Sequence, residues 1–227
     1  MPHTVTFNLI LRIFIRHYSK IRIVRYICNS LKQARSNMAT KISDDLKNAL
    51  LRLPTKDKDK LLLRLIAKSD LLVKQLEFDL LEDKSTIDSR AAKIRVKIEQ
   101  QLQNSTGAGQ TPGYLLMDFR YINPAITEHV KVTKDKYGEV TLAIYLLSNG
   151  LRINKDILAK FPRNRFDTLA PYIIKRVQQI LVKIPKLHED YYFEIRRDLN
   201  ELLDLIYQIP QISAYANEVD LPKKWDY

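Results

Sequence analysis

Residues 187–208 read LHEDYYFEIRRDLNELLDLIYQ and set six carboxylates, Glu189, Asp190, Glu194, Asp198, Glu201 and Asp204, behind His188. Acids at helical spacing could serve a divalent cation, because oxygen ligands from facing helices can converge on Mg²⁺. The spacing argues against it. On a helical wheel Tyr191, Tyr192, Ile195, Leu199, Leu202, Leu203 and Ile206 share one arc, which is the core face. The acids from Asp190 to Asp204 fall about 60° to 180° from Glu189, away from that arc. A single outward stripe offers no convergent ligands, so the expectation is a solvated face on which Arg197 and Glu201 form an i,i+4 pair.

The sharper alternative rests on Glu201 and Asp204. Their "ELLD" spacing is similar to the E-x-x-D segment of the all-α nucleoside triphosphate pyrophosphatases, an Mg²⁺-dependent family. "EDYYFE", however, spaces its acids i, i+1, i+5 where that family has i, i+1, i+4, and no second acidic helix lies upstream at the usual distance. His188 falls on the apolar side near the helix start, where a histidine caps or packs. His129 is isolated, and no H-x-x-x-H, H-E-x-x-H or E-x-x-H pair exists. There is no G-x-S-x-G, Walker A or G-x-G-x-x-G segment, and "GAGQTPG" lacks the Lys-Ser/Thr that holds phosphate. The sequence assigns no catalytic residue, metal ligand or cofactor, and no small-molecule ligand.

One basic face stands out. Arg90, Lys93 and Lys97 line one side of a helix, enough to neutralise about three phosphates with weak, salt-sensitive, non-specific affinity. No aromatic residue is interleaved among them to stack bases.

Composition sets the frame. The chain of 227 residues is 45% apolar and 28% charged, with five glycines, which favours helices over the turn-rich sheets of all-β folds. Its net charge of +12 is lopsided. Residues 1–37 carry seven basic residues (Arg12, Arg16, Lys20, Arg22, Arg25, Lys32, Arg35) and no acid. Residues 38–227 carry 31 basic against 26 acidic residues, a mild +5. The basic, acid-free N-terminus is too charged to span a bilayer and has no cleavage site after an apolar run. It reads as an over-extended start before Met38, a targeting presequence or a basic surface helix, the first being favoured by the abrupt change at Met38. Lone Cys28 has no disulfide or zinc partner, which fits a reducing compartment.

The elements follow from caps and periodicity. Ser43 before Asp44 and Asp45 predicts a helix that Pro54 stops; Thr55 predicts a second, carrying Leu61, Leu62, Leu65 and Ile66. Ser69 or Asp70 opens a third with Leu72, Val73, Leu76, Leu80 and Leu81, and Asp88 a fourth to about Gln103. Residues 104–113, "NSTGAGQTPG", predict a flexible loop between an N-terminal half, 38–103, and a C-terminal half, 114–217, with a tail at 218–227. Beyond the loop a helix is expected to break at Asn123-Pro124, and a buried element to end at Gly150. Residues 129–145 alternate well enough for a short β-hairpin, yet Ile126, Val130, Thr133 and Tyr137 recur at helical spacing, which favours helix. Asp167 is expected to cap a helix whose Leu169, Ala170, Ile173, Ile174, Val177, Ile180, Leu181 and Ile184 share one arc.

The stretch at 51–83, LRLPTKDKDKLLLRLIAKSDLLVKQLEFDLLED, resembles uncharacterised helical proteins of Bacteroidota that open with an LPxK segment and a Leu-rich LLxRL helix; "LHEDYY" is a second anchor. The resemblance implies a bacterial cytoplasmic setting and carries no activity. The expectation is an all-α multi-helix bundle of amphipathic helices with short loops. The expected function is that of a non-enzymatic protein-interaction module with a protein partner or a second copy, and no membrane span is expected. Weak nucleic-acid binding is the first alternative and the pyrophosphatase the second.

Overall fold

The computed structural model describes residues 42–82, 85–107 and 109–226. The reading of residues 1–37 as a separate segment lies outside them. The described residues are all-α, without a strand: α1 (Asp44–Arg52), α2 (Thr55–Ile66), α3 (Asp70–Leu81), α4 (Thr86–Asn104), α5 (Pro112–Thr133), α6 (Lys136–Leu158), α7 (Leu169–Lys183), α8 (Tyr192–Gln208) and α9 (Pro210–Glu218). Short 3-10 turns lie at Arg163–Phe166, Ile184–Lys186 and Glu189–Tyr191. The described residues divide between Leu61 and Leu62 into two units.

In the first unit Ser43 caps α1, its Oγ accepting from the Leu46 N–H at 3.3 Å, and the Lys58 ammonium donates to the Leu51 carbonyl at 2.9 Å. These bonds satisfy orphan groups at both ends of α1. Neither α1 nor α2, whose last turns from Leu62 on belong to the second unit, buries a residue.

The second unit is organised round α6. Val140, Leu142, Ala143, Ile144, Leu146, Leu147, Leu151 and Leu158 are all buried, so this helix is apolar on nearly every side. It packs against α4, α5, α7 and α8. The expected core residues Ile173, Val177, Ile180, Leu199, Leu202 and Ile206 are all buried in the same cluster. Where the loop 105–111 meets α5, the buried Asp118 carboxylate accepts from Gln101 Nε2 at 2.9 Å, Ser105 Oγ at 2.8 Å and Gln110 Nε2 at 3.3 Å. A buried acid is thus satisfied by three neutral donors, which tie the end of α4 and the loop to the start of α5.

Several local expectations are corrected. At 129–145 the favoured helical reading holds and the alternative hairpin does not form: α5 ends at Thr133, its C-cap Lys134 is left-handed at φ 59° with its N–H reaching the Val130 carbonyl at 2.8 Å, and α6 begins at Lys136. Helix α5 runs through Pro124, which is exposed, so the carbonyl it deprives of a bond faces water. Gly150 lies inside α6, not at its end, and is buried against Phe119. Asp167 accepts from the Tyr215 hydroxyl instead of capping α7. The leucines of α2 are turned outward: Leu62, Leu63 and Leu65 are 57%, 67% and 50% exposed, and Leu80 and Leu81 of α3 are also exposed.

Candidate functional site

The acidic stretch that opened the question is a helix with a detached front. Glu189–Tyr191 forms a 3-10 turn, so Tyr191 leaves the core face and stacks on Tyr137 with ring centroids 4.4 Å apart. His188 is exposed and its Nδ1 accepts from the Asp190 N–H at 3.4 Å, not from the apolar side. Two acids bind α8 to α6: Glu194 accepts from the Tyr137 hydroxyl at 2.5 Å, and Glu201 pairs with Arg152. Burial, reinforced by Glu194, raises the Tyr137 pKa. Arg197 pairs with Asp198 at 3.0 Å, so the expected Arg197–Glu201 pair is not formed. Among the described residues no group of three or more His, Cys, Asp or Glu side chains could hold a metal ion.

The basic face of α4 is taken apart by its neighbours. Arg90 turns back to the C-terminal end of α3, where its Nε donates to Glu82 Oε2 at 2.8 Å, its second nitrogen pairs with Oε1, and its guanidinium lies 5.7 Å from the Phe78 ring centroid. That fork, with the Thr86 hydroxyl, lowers the Glu82 pKa to about 2, and Glu82 in turn raises that of Arg90. Lys93 stays at the surface. Lys97 lies with Nζ 5.5 Å from the centroid of the Tyr121 ring on α5.

Below this face is a cleft of about 460 Å³ lined by Glu82, Thr86, Ser89, Arg90, Lys93, Ile94, Glu128, His129 and Val132. His129 belongs to its wall. Its side chain is 2% exposed, and Nε2 is 3.2 Å from Asp135 Oδ2. Asp135 also caps α6, Oδ1 accepting from the Gly138 N–H at 2.7 Å. Burial pushes the Asp135 carboxyl up, but the His129 and Gly138 hydrogen bonds together outweigh it and hold the pKa below its ordinary value. An ionised carboxylate only accepts, so Nε2 carries a proton. Nδ1 has no hydrogen-bond partner. No hydroxyl or thiol among the described residues bonds to it, so the oriented imidazole lacks a nucleophile and the pair reads as a hinge pin between α5 and α6.

The exposed apolar side chains of the described residues include two groups of close neighbours. The first is the leucine side of α2. The second is the N-terminal half of α5, where Tyr114, Met117 and Tyr121, at i, i+3 and i+7, are 57%, 61% and 61% exposed. Helix α3 reaches only the other half of α5, where Lys74 pairs with Glu128 at 3.0 Å and Gln75 donates to the Lys131 carbonyl at 2.7 Å. The Tyr114 stripe is absent from the sequence reading, although its spacing in "YLLMDFRY" is a helical face and was a sufficient signal.

No protein-family model matches the chain, and no curated protein or solved structure is significantly similar to it. Among the described residues no helix is long and apolar enough to cross a membrane.

Proposed function

We propose that the protein is a helical interaction module that docks another protein chain through the leucine side of α2. The observation that carries this is that α2 has Leu62, Leu63 and Leu65 grouped at its C-terminal end, at least half exposed, while its N-terminal turns are charged. A helix this short draws its stability from packing an apolar side, and α2 buries no residue of its own. Each leucine moved from water into an interface contributes roughly 1.5–3 kcal/mol, enough in combination for a specific complex. A bacterial cytoplasmic setting, implied by the resemblance of residues 51–83, is part of the same proposal.

The test is recovery of the tagged full chain from its own cells after nuclease treatment, beside a Leu62→Asp, Leu65→Asp variant of unchanged helicity. A stoichiometric protein partner, or a second copy detected by light scattering, is expected with the wild type and lost with the variant. A partner that survives the variant, or that disappears with nuclease alone, removes this reading.

A further inference from the structure

The geometry points to a second activity: the face formed by α4 and the N-terminal half of α5 binds single-stranded nucleic acid, with Tyr114 and Tyr121 as stacking platforms and Lys97 and Lys93 as phosphate contacts. Binding a single strand without regard to sequence requires aromatic faces for the bases and cations beside them for the backbone. In the sequence the cations and aromatics lie far apart, on different helices. The fold brings them together. Gln101 to Asp118 at 2.9 Å and Lys97 over Tyr121 at 5.5 Å set the register of an antiparallel pair. Tyr121 therefore lies beside the cations, with Tyr114 two turns further along α5, about 10 Å away.

Both rings are more than half exposed, and Met117 between them adds an apolar surface against which a base can lie. Charge selects the occupant. Between Glu99 and Glu128 the sequence holds one acid, Asp118, which is buried and satisfied by Gln101, Ser105 and Gln110. Glu99 is engaged with the Tyr145 hydroxyl and Glu128 with Lys74. The open face thus presents Lys97 and Lys93, with Arg120 exposed at the flank, while the carboxylates beside Lys93 are each paired with another cation, Glu82 with Arg90 and Glu128 with Lys74. A protein partner of ordinary mixed charge would find no anionic counterpart for its own cations here. A polyanion needs none. The face is a ridge of side chains rather than an inserted helix, which suits unstacked bases better than the groove of a duplex.

The experiment is fluorescence anisotropy of a short labelled oligothymidylate with the full chain at low salt, beside a duplex of equal length. The full chain is expected to prefer the single strand. Tyr114→Ala with Tyr121→Ala should weaken binding at least about tenfold, while the Tyr→Phe pair, which keeps both ring faces, should stay within about twofold. Lys97→Gln should lower the salt slope by about 0.7. Leu62→Asp with Leu65→Asp should leave binding unchanged. Four results would overturn the inference: no binding of the oligothymidylate, preference for the duplex, full affinity in the alanine pair, or an unchanged slope in Lys97→Gln. Full affinity in the alanine pair would place the binding elsewhere, as on the basic residues 1–37. If the alanine pair loses helicity, the phenylalanine pair and Lys97→Gln decide.

Discussion

Replacing Asp135 tests a polar group with two roles in the second unit. Its carboxylate caps α6 through Gly138 and holds His129 in the wall of the cleft, so Asp135→Ala removes two things at once. Loss of an N-cap costs about 1 kcal/mol, and a buried imidazole stripped of its last partner costs a further 1–3 kcal/mol, roughly 2–4 kcal/mol together. Nδ1 of His129 already has no partner, so the ring cannot compensate through its other nitrogen. The expected fall in Tm is roughly 5–15 °C for a domain of this size. Asp135→Asn separates the terms, because asparagine caps as well as aspartate but carries no charge; it should lose about half as much.

The sign of the pH dependence follows from the carboxyl group, whose folded pKa lies below its ordinary 3.8. Its contribution is present in full above about pH 4 and is lost as pH falls through the folded pKa. Wild type and Asp135→Asn should therefore converge in urea midpoint as the solution is acidified, measured by circular dichroism. A gap that persists at low pH, or an Asp135→Ala variant within about 0.5 kcal/mol of wild type at neutral pH, would refute the two-role account.

Two further outcomes follow from the packing and the surface. A Cβ on Gly150 would lie 2.3 Å from Phe119 Cε1 and 2.6 Å from Cζ, so Gly150→Ala should destabilise by about 1–3 kcal/mol despite alanine's better helix propensity, with Phe119→Leu restoring part of the loss in urea denaturation. Glu82, held at about 2 by Arg90 and Thr86, contributes stability present above its ordinary 4.5 and lost only as pH falls through about 2. Its carboxyl resonance should titrate near 2, and return toward 4.5 in Arg90→Gln.

What the sequence made legible was whatever periodicity alone decides. The arc from Leu169 to Ile184, apart from half-buried Leu181, and the line Leu199, Leu202, Ile206 are buried as read, because each helix has a single wide apolar side and a polar remainder. The reading failed where a long-range partner chose between equivalent local options. Pro124 is tolerated because its side of α5 faces water, and Gly150 sits mid-helix because a phenylalanine from α5 needs the space; neither neighbour is visible in the local pattern. Leu61 to Ile66 look like a core line, but periodicity only says that an apolar side exists, not that this chain covers it. The surroundings of the basic face were illegible for a related reason. Arg90, Lys93 and Lys97 are adjacent on a wheel, yet Glu82 captures the first, and the aromatic that completes the third comes from another helix.

The two open surfaces share a property that bears on how their roles separate. Leu62, Leu65, Tyr114 and Tyr121 all lie outside the buried cluster centred on α6. Substitutions at exposed positions ordinarily shift folding stability by no more than about 0.5 kcal/mol. A loss of tenfold or more in association corresponds to at least about 1.4 kcal/mol, which such a shift cannot supply in a chain that remains folded. Changes in binding at these positions therefore report on the surfaces themselves. The core variants behave oppositely: Gly150→Ala and Asp135→Ala alter the packing and capping of α6, where every neighbouring helix of the second unit feels them. If an α6 variant that remained folded weakened binding on the Tyr114 face while leaving the leucines of α2 unaffected, the register of α4 against α5 would be the property transmitted, since Phe119, the neighbour of Gly150, lies between Met117 and Tyr121 on the same helix.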